Sequence, residues 1–483
     1  MKKFFTATLT IVGAFVFGQF STPNTGQTYT IADLDALTEA ISYDSTTNKY
    51  ILTEDLTISD TDSFVANTNF VLAIEDGKLI SINGSILVNA PDEVHFTSTN
   101  PGTIYFNGLR IADGATASIT KFKMTYGGGI RVLGVDFYMD NSEVSFQNSG
   151  ISTGAAINFS GGNPIIKNST FSQNATPAVA SGANQSVALT YLNNYLYHNN
   201  LSNSNRPQIN MGPSGNGRIT QIVGNTIIGN RAMTRVGGVS VSSLLGVNNE
   251  ILIQDNIIQD NRYGITASGG NTKGNILNNK ILDNNTEPIP ANGGSGINIY
   301  LAQNPEDYII NIFNNEIKGN LWGITNIGNG AYISLGNAEY GGNNVFENNG
   351  NEGVIYALYN NSPNPISAQG NCWDPWLTEE RVEEVIVHYN DDTTLGLVDY
   401  SNYVCLLNTT DLKDNQVKIY PNPTQGNFVI ETTKNDYYSI YNFTGQLILS
   451  GELVVGKNEI KSNLPKGVYV IKTNSKSSKI IVK

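Results

Sequence analysis

Through the middle of the chain, apolar residues come in short bursts at every second position, and each burst closes on asparagine. The unit Asn-x-apolar-x-x-Asn recurs as NTIIGN (225–230), NIIQDN (256–261), NKILDN (279–284), NEIKGN (315–320) and NNVFEN (343–348). Looser copies are STFSQN (169–174) and NYLYHN (194–199). The closing Asn falls at 174, 199, 230, 261, 284, 320 and 348, giving spacings of 25, 31, 31, 23, 36 and 28 residues. A second element, Gly followed by Ile or Val, trails the units, as at Gly264-Ile265, Gly296-Ile297, Gly323-Ile324 and Gly353-Val354. Periods of this length predict an array. Apolar spacing of two, with dense Asn and Gly, excludes helical repeats, and a propeller blade needs a longer, steadier period. The pattern therefore predicts the coils of a parallel β-helix, with inward Ile, Val and Leu stacked between turns. Asn suits those turns because it tolerates the left-handed backbone region, and its side chains can hydrogen-bond from coil to coil. Irregular spacing then means insertions of different length in one turn, and such loops are where binding usually sits.

The flanks follow other patterns. Residues 30–42, TIADLDALTEAIS, place Ile31, Leu34, Leu37 and Ile41 near helical spacing with Asp33 and Asp35 early, so one short amphipathic helix is expected. The alternating stretches 48–58 and 70–88 follow it as strands, which makes the helix a lid over the first coil's apolar end. Before it, MKKFFTATLTIVGAFVFGQF reads as a signal peptide: Lys2 and Lys3, an apolar run from Phe4 to Phe17, then Val16 and Gly18 at the −3 and −1 positions. The run is too short for a membrane span and nothing later resembles one, so no transmembrane segment is expected in the mature chain.

Composition sharpens this. Of 483 residues only 14% are charged, against 40% hydrophobic and 48 Gly, which fits short strands and tight turns rather than charge-driven disorder. The formal charge is −13, unevenly spread. From Asp414 onward 9 Lys face 5 acids, a balance of +4; with Lys2 and Lys3 removed, the body between carries −13 − 2 − 4 = −19. An acidic body argues against nucleic acid as a partner. The two cysteines, Cys372 and Cys405, form a disulfide if the chain is exported to an oxidising compartment.

The repeats resemble those of right-handed parallel β-helix proteins, the pectate-lyase-like superfamily in its broad sense, over roughly residues 45–405. Residues 370–401 resemble the closing segment of such proteins: Asn371, Trp373 and Asp399-Tyr400-Ser401 match, while Asp374 and Asn402 stand where Gly and Pro are usual. Within it, Leu377 to His388 is a helix candidate with Thr378 as N-cap, and Cys372 and Cys405 would staple the ends of the cap. The tail resembles the type A sorting domain of the type IX secretion system. Its matching residues are Tyr420, Pro421, Asn422, Pro423, Gly426, Tyr441, Gly445, Leu464, Gly467, Tyr469-Val470 and the closing KIIVK at 479–483. That resemblance implies export by the type IX machinery of a Bacteroidetes-type cell, to the medium or the outer-membrane surface. Read alone, the same tail is a small antiparallel sandwich of short alternating strands. The expected architecture is all-β: signal peptide 1–18, capping segment 19–47, right-handed parallel β-helix 48–369, its C-terminal cap 370–410, and an Ig-like sandwich sorting domain 411–483.

Fold alone assigns no chemistry. The motifs of polygalacturonases and calcium pectate lyases are absent, and His95, His198 and His388 are spread too widely for a cluster. Asp and Asn abound, yet no spacing specifies calcium, so no cofactor is expected. One basic stretch stands out. Residues 198–280 hold Arg206, Arg218, Arg231, Arg235, Arg262, Lys273 and Lys280 against three acids, a local +4. Arg231 and Arg262 each follow a closing Asn one 31-residue period apart, so they should stack on adjacent coils with an anion between them. A uronate or sulfated sugar would suit, with Tyr191 and Tyr195 stacking on its rings. Were the site a polysaccharide lyase, Arg231 and Arg262 would neutralise the carboxylate and Arg235 or Lys273 would act as base. Alternatively both Arg are solvated turn residues paired with Asp255 or Asp260, and Tyr191 and Tyr195 are packing. The preferred expectation is an exported adhesive or polysaccharide-binding protein, with the lyase as the other reading.

Overall fold

In a strand of only three residues the middle side chain points one way and its two neighbours the other, so such a strand commits either its middle residue to the interior, as at Ile227, or its two outer ones, as at Ile157 and Phe159. The computed structural model describes residues 18–134, 136–375, 377–405, 417–442, 446–473 and 477–483, and it divides into two compact units, residues 1–405 and 406–483. Apart from one two-stranded hairpin, the strands of the first unit form three sheets of 14, 14 and 13 strands, parallel except for the antiparallel edge strand Ile41–Asp44, here called A, B and C in the order each coil visits them. One coil runs through Thr226–Ile228 of sheet C, Val239–Ser243 of sheet A and Asn249–Gln254 of sheet B before reaching Ile257–Gln259 of sheet C. This is the parallel β-helix of the repeat, consistent with the right-handed form.

The interior is a set of vertical stacks. Along sheet C, Val144, Phe171, Leu196, Ile227, Ile258, Ile281, Ile317 and Phe346 pair in register, all buried. Trp373 closes this column, its ring lying flat on Phe346 at 4.9 Å. Burying each such side chain contributes about 1.5–3 kcal/mol.

Two columns of buried amides line the corners of sheet C. At the B–C corner, the backbone N–H of Ser169, Asn194, Asn225, Asn256, Asn279, Asn315 and Asn344 each donates to the side-chain oxygen of the next rung, ending at Asn371. Asn256 shows the rung in full. Its Oδ1 accepts from the N–H of Asn225 (2.8 Å) and from Asn225 Nδ2 (2.9 Å), while its Nδ2 donates to the carbonyl of Ile222 (2.8 Å) and to Asn279 Oδ1 (2.9 Å). The second column, at the C–A corner, runs Asn174, Asn199, Gln208, Asn261, Asn284, Asn320 and Asn349.

That second column corrects the repeat at two places. The last unit is Asn344 to Asn349, one residue later than NNVFEN suggests, so Phe346 rather than Val345 faces inward. Asn230 is not a rung at all. Gly229 fills that level of the corner, where a Cβ would meet Asp260 O at 2.1 Å, and Gln208 reaches in from the adjoining loop to complete the column.

The N-terminal helix is Ile31–Leu37, shorter than the pattern implies, because Ile41 already opens a strand, Ile41–Asp44, that pairs with Lys49–Leu52. Thr30 and Asp33 form a capping box, and Ile31 and Leu34 cover the first coil. The loop before it is pinned by Asp62, buried, whose carboxylate accepts from the backbone N–H groups of Asn24, Thr25, Gly26 and Gln27. At the other end, the helix expected over 377–388 is a 3-10 helix, Glu379–Val385, and Thr378 makes no side-chain cap. Cys372 and Cys405 form a disulfide.

The second unit is a small sandwich of antiparallel sheets, one of three strands and one of four. Phe428, Ile430, Tyr438, Ile440, Tyr469, Ile471 and Ile480 fill the space between them.

Candidate ligand-binding groove

The basic stretch does not gather into one site. Arg231 leaves the corner one residue after the displaced Asn230, and its guanidinium bonds Asp260 (2.6 Å) and Asn285 (2.7 Å). Lys273 lies on sheet B, 3.6 Å from Glu250 and over the ring of Tyr308. Arg235 is exposed on a corner loop. Arg262 reaches neither Arg231 nor its partners; it lies across Asn292 and Asn205. The expected Arg231–Arg262 stack fails because Gly229 shifts the corner. An arginine pair does stack elsewhere, Arg110 directly beside Arg131 on sheet A, with Arg131 bonded to Asn158 and Ser160. Tyr191 is fully buried between Ile166 and Ile222 in sheet B, so it cannot meet a sugar. Tyr195 is exposed on sheet C, its ring parallel to Tyr197.

Of the basic stretch, Arg262 is the residue that borders a groove. A groove of about 780 Å³ lies over the outer face of sheet A. Its floor is a row of outward side chains paired coil to coil: Thr266, Asn298, Thr325 and Tyr359. Thr325 Oγ1 donates to Asn298 Oδ1 at 2.8 Å, which fixes both. One wall is the insertion after Asn284, where a 3-10 turn, Pro290–Asn292, carries Asn292 and Gly293 past the strand edge.

Trp322 stands at the centre, half-buried. Its Nε1 donates to the carbonyl of Pro290 at 3.1 Å, and its ring meets Tyr356 at 4.6 Å and Tyr359 at 5.6 Å. The indole is thereby held in one orientation with part of its surface open. Opposite, Tyr263 lies against Gly237, where any Cβ would collide with the ring at 2.1 Å. Burial pushes the Tyr263 hydroxyl up to about 12, with the charge of Arg262 pulling the other way. Arg262 donates through Nε to Asn292 O at 2.8 Å and has no carboxylate partner among the described residues, so its charge faces the groove uncompensated. Held aromatics, short amides and hydroxyls, and one guanidinium bonded only to neutral oxygens can stack on a sugar ring, bond its hydroxyls and attract an acidic substituent.

The repeat pattern passed over most of these residues. Trp322 immediately precedes the Gly323-Ile324 element, and Asn298 follows Gly296-Ile297 by one residue. The signal that could have found them is the 36-residue spacing from Asn284 to Asn320, the longest of the set and the mark of the inserted wall.

In the second unit the motif residues have structural work to do. Asn422 clasps the last strand, its Nδ2 donating to Lys479 O (2.7 Å) and its Oδ1 accepting from Ile481 N–H (3.0 Å). It sits between Pro421 and Pro423, both preceded by cis peptide bonds. Tyr420 donates to Glu431; Gly467 opens a strand, and two residues on Tyr469 is buried and donates to Pro465 O. Gly445 lies outside the described residues. Among the described residues no helix is long and apolar enough to cross a membrane, and no group of three or more His, Cys, Asp or Glu could hold a metal ion.

No curated protein matches this chain. Residues 418–483 match the family of secretion system C-terminal sorting domains, the signal for type IX secretion. The protein is therefore an exported one, secreted or attached at the outer-membrane surface.

Proposed function

We propose that the exported β-helix is a carbohydrate-binding, adhesive rod, and that the sheet A groove around Trp322 holds the sugar. The observation that carries this reading is an indole fixed by Pro290, Tyr356 and Tyr359 beside the polar row Thr266, Asn298 and Thr325. A surface side chain fixed so firmly loses little conformational entropy on binding. A removable leader over residues 1–18 fits this account, since Gln19 is the first residue of a strand, Gln19–Ser21, that pairs with Asp55–Ile58.

Binding without turnover is favoured over lyase chemistry by the groove's lining. Its titratable groups are Arg262, Tyr263 and Tyr359, and Tyr263 holds its proton more tightly than a free tyrosine. Arg235 and Lys273, the bases considered from the sequence, lie elsewhere. The test is a glycan array followed by calorimetry on the whole protein. Retained glycans should lose about thirtyfold in affinity with Trp322→Ala, about 2 kcal/mol. Arg262→Ala should weaken acidic glycans more than neutral ones. Unsaturated products from alginate, pectate or glycosaminoglycan, read by ultraviolet absorbance and abolished by Arg262→Ala, would replace the binder with the lyase. No retention on any glycan would sink both.

A further inference from the structure

The sorting unit has two outer faces of opposite character. On the three-stranded sheet the outward positions include Lys418, Glu431, Lys457, Glu459 and Lys461, a charged face suited to water. The four-stranded sheet breaks the usual alternation. Along Gly467–Thr473 the inward residues are Tyr469 and Ile471, yet the outward ones are Val468 (45% exposed) and Val470 (41%). Their neighbours across the strands extend the patch. Val470 pairs with Tyr441 on one side and Lys479 on the other, Tyr441 pairs with Leu447 (51% exposed), and Val468 pairs with Ile481. An outward row of Leu, Tyr and Val in a small exported sandwich exposes apolar surface that a free domain would exchange for polar residues.

We infer that this apolar face is the surface by which the secretion machinery reads the tail, and that the machinery presents to it an apolar patch bordered by carboxylates. Residues 418–483 match a sorting domain, so a partner in the export apparatus is already required. Charge supplies the second part. Lys472 and Lys479 flank Val470 on the outward side, and the matched segment holds 9 Lys against 4 acids. Face recognition is favoured over strand addition at the last strand, because that edge is taken. Asn422 bonds Lys479 and Ile481 there, and Thr424 N–H donates to Ile481 O at 2.8 Å. The inference rests on the sorting-domain match and stands apart from the carbohydrate reading.

The test expresses the whole protein in an organism with type IX secretion and measures it in periplasmic, surface and medium fractions. Val470→Glu should leave at least about tenfold less protein at the surface and in the medium, as expected for truncating the centre of an interface. Lys479→Glu should act in the same direction. Lys457→Glu, which makes the same charge change on the polar face, should export normally. Val470→Thr, nearly isosteric, guards against misfolding: it should reduce export less than Glu does, with an unchanged melting curve for the purified protein. Normal export of Val470→Glu overturns the inference. So does equal retention of Lys457→Glu and Lys479→Glu, since net charge rather than a face would then be read. Retention of Val470→Glu with a collapsed melting curve, alongside normal export of both Val470→Thr and Lys479→Glu, also overturns it.

Discussion

The two amide columns of the β-helix use the same residue, at the same corner-to-corner distance of five positions, and differ in what they permit. At the B–C corner the chain turns directly from one strand to the next, and from Asn194 to Asn371 each rung is an Asn held by its own coil. At the C–A corner the loops are inserted, one coil drops its Asn, and Gln208 replaces it from a loop. A buried amide column is a satisfied network only if every rung is present. The corner without insertions therefore fixes the coil stack, while the corner with them tolerates the loops that build the groove wall before Trp322. Stacking of the coils and construction of the groove wall are divided between the two corners of one sheet.

The largest effect should come from the unbroken column. Asn256→Ala leaves the carbonyl of Ile222, the N–H and Nδ2 of Asn225 and the Oδ1 of Asn279 short of partners inside the stack. Four buried hydrogen bonds are lost at about 1 kcal/mol each and the N–H of Asn225 is left unpaired, so the change should destabilise by about 3–4 kcal/mol. Urea unfolding followed by circular dichroism reads it. A loss under about 1 kcal/mol would mean that the column is decoration on a stack held by its apolar core.

Gln208→Ala comes next. It removes the acceptor for Asn199 and the donor to Asn261 Oδ1 and Ile228 O. Because Gln208 enters from a loop, water can follow the truncated side chain, so about 2 kcal/mol is expected by the same measurement. Equal losses for Gln208 and Asn256 would erase the distinction between the corners.

The N-terminal lid does with one carboxylate what the columns do with amides, and pH separates them. Burial pushes the Asp62 carboxyl up, but hydrogen bonds from Thr22 and the backbone of Gln27, Asn24 and Thr25 outweigh it and hold the group below the usual carboxylate range. A carboxylate with a lowered folded value stabilises fully above its unfolded value and loses that contribution as pH falls through the folded value. The protection of the amides at residues 24–27, taken against their intrinsic exchange at each pH, should therefore fall in acid, below the ordinary Asp range. The amide columns carry no charge and should show no such local step. Asp62→Asn should abolish the acid step, and its persistence would assign it to another group.

How much of this was legible in the sequence follows from the same contrast. Asn256, Asn279 and Asn315 announce themselves because each rung must be an amide with a free left-handed turn before it, and few residues meet both needs. Ile227, Ile258 and Ile281 are equally readable, as the single inward position of a three-residue strand. Gly229 was not readable as a gap, since Asn230 next to it satisfies the pattern while pointing elsewhere. That one-residue shift also hid the fate of Arg231, which pairs with Asp260 instead of stacking on Arg262. Tyr191 and Tyr195 look alike in sequence, but a strand change between them puts one inside and one outside. The groove was legible only as an interval, the long step from Asn284 to Asn320. Which side chains an insertion brings together depends on coil register, and register is a property of the stack rather than of any one coil.

The smallest expected effect is the most pointed test of that lesson. Asn230 fits the repeat as well as Asn261 does, so a reading from sequence assigns both the same weight. Among the described residues Asn230 Oδ1 accepts only from Ala232 N–H, at 3.0 Å, in a local turn at the surface. Asn261 carries Oδ1 and Nδ2 bonds within the column and is buried. Asn230→Ala should therefore cost under about 0.5 kcal/mol, the ordinary range for a surface substitution, while Asn261→Ala costs several times more. Measured side by side in urea, a comparable loss at both positions would place Asn230 in the column and return Arg231 to a stack above Arg262. A near-silent Asn230 confirms that in this coil the glycine, not the asparagine, sets the corner.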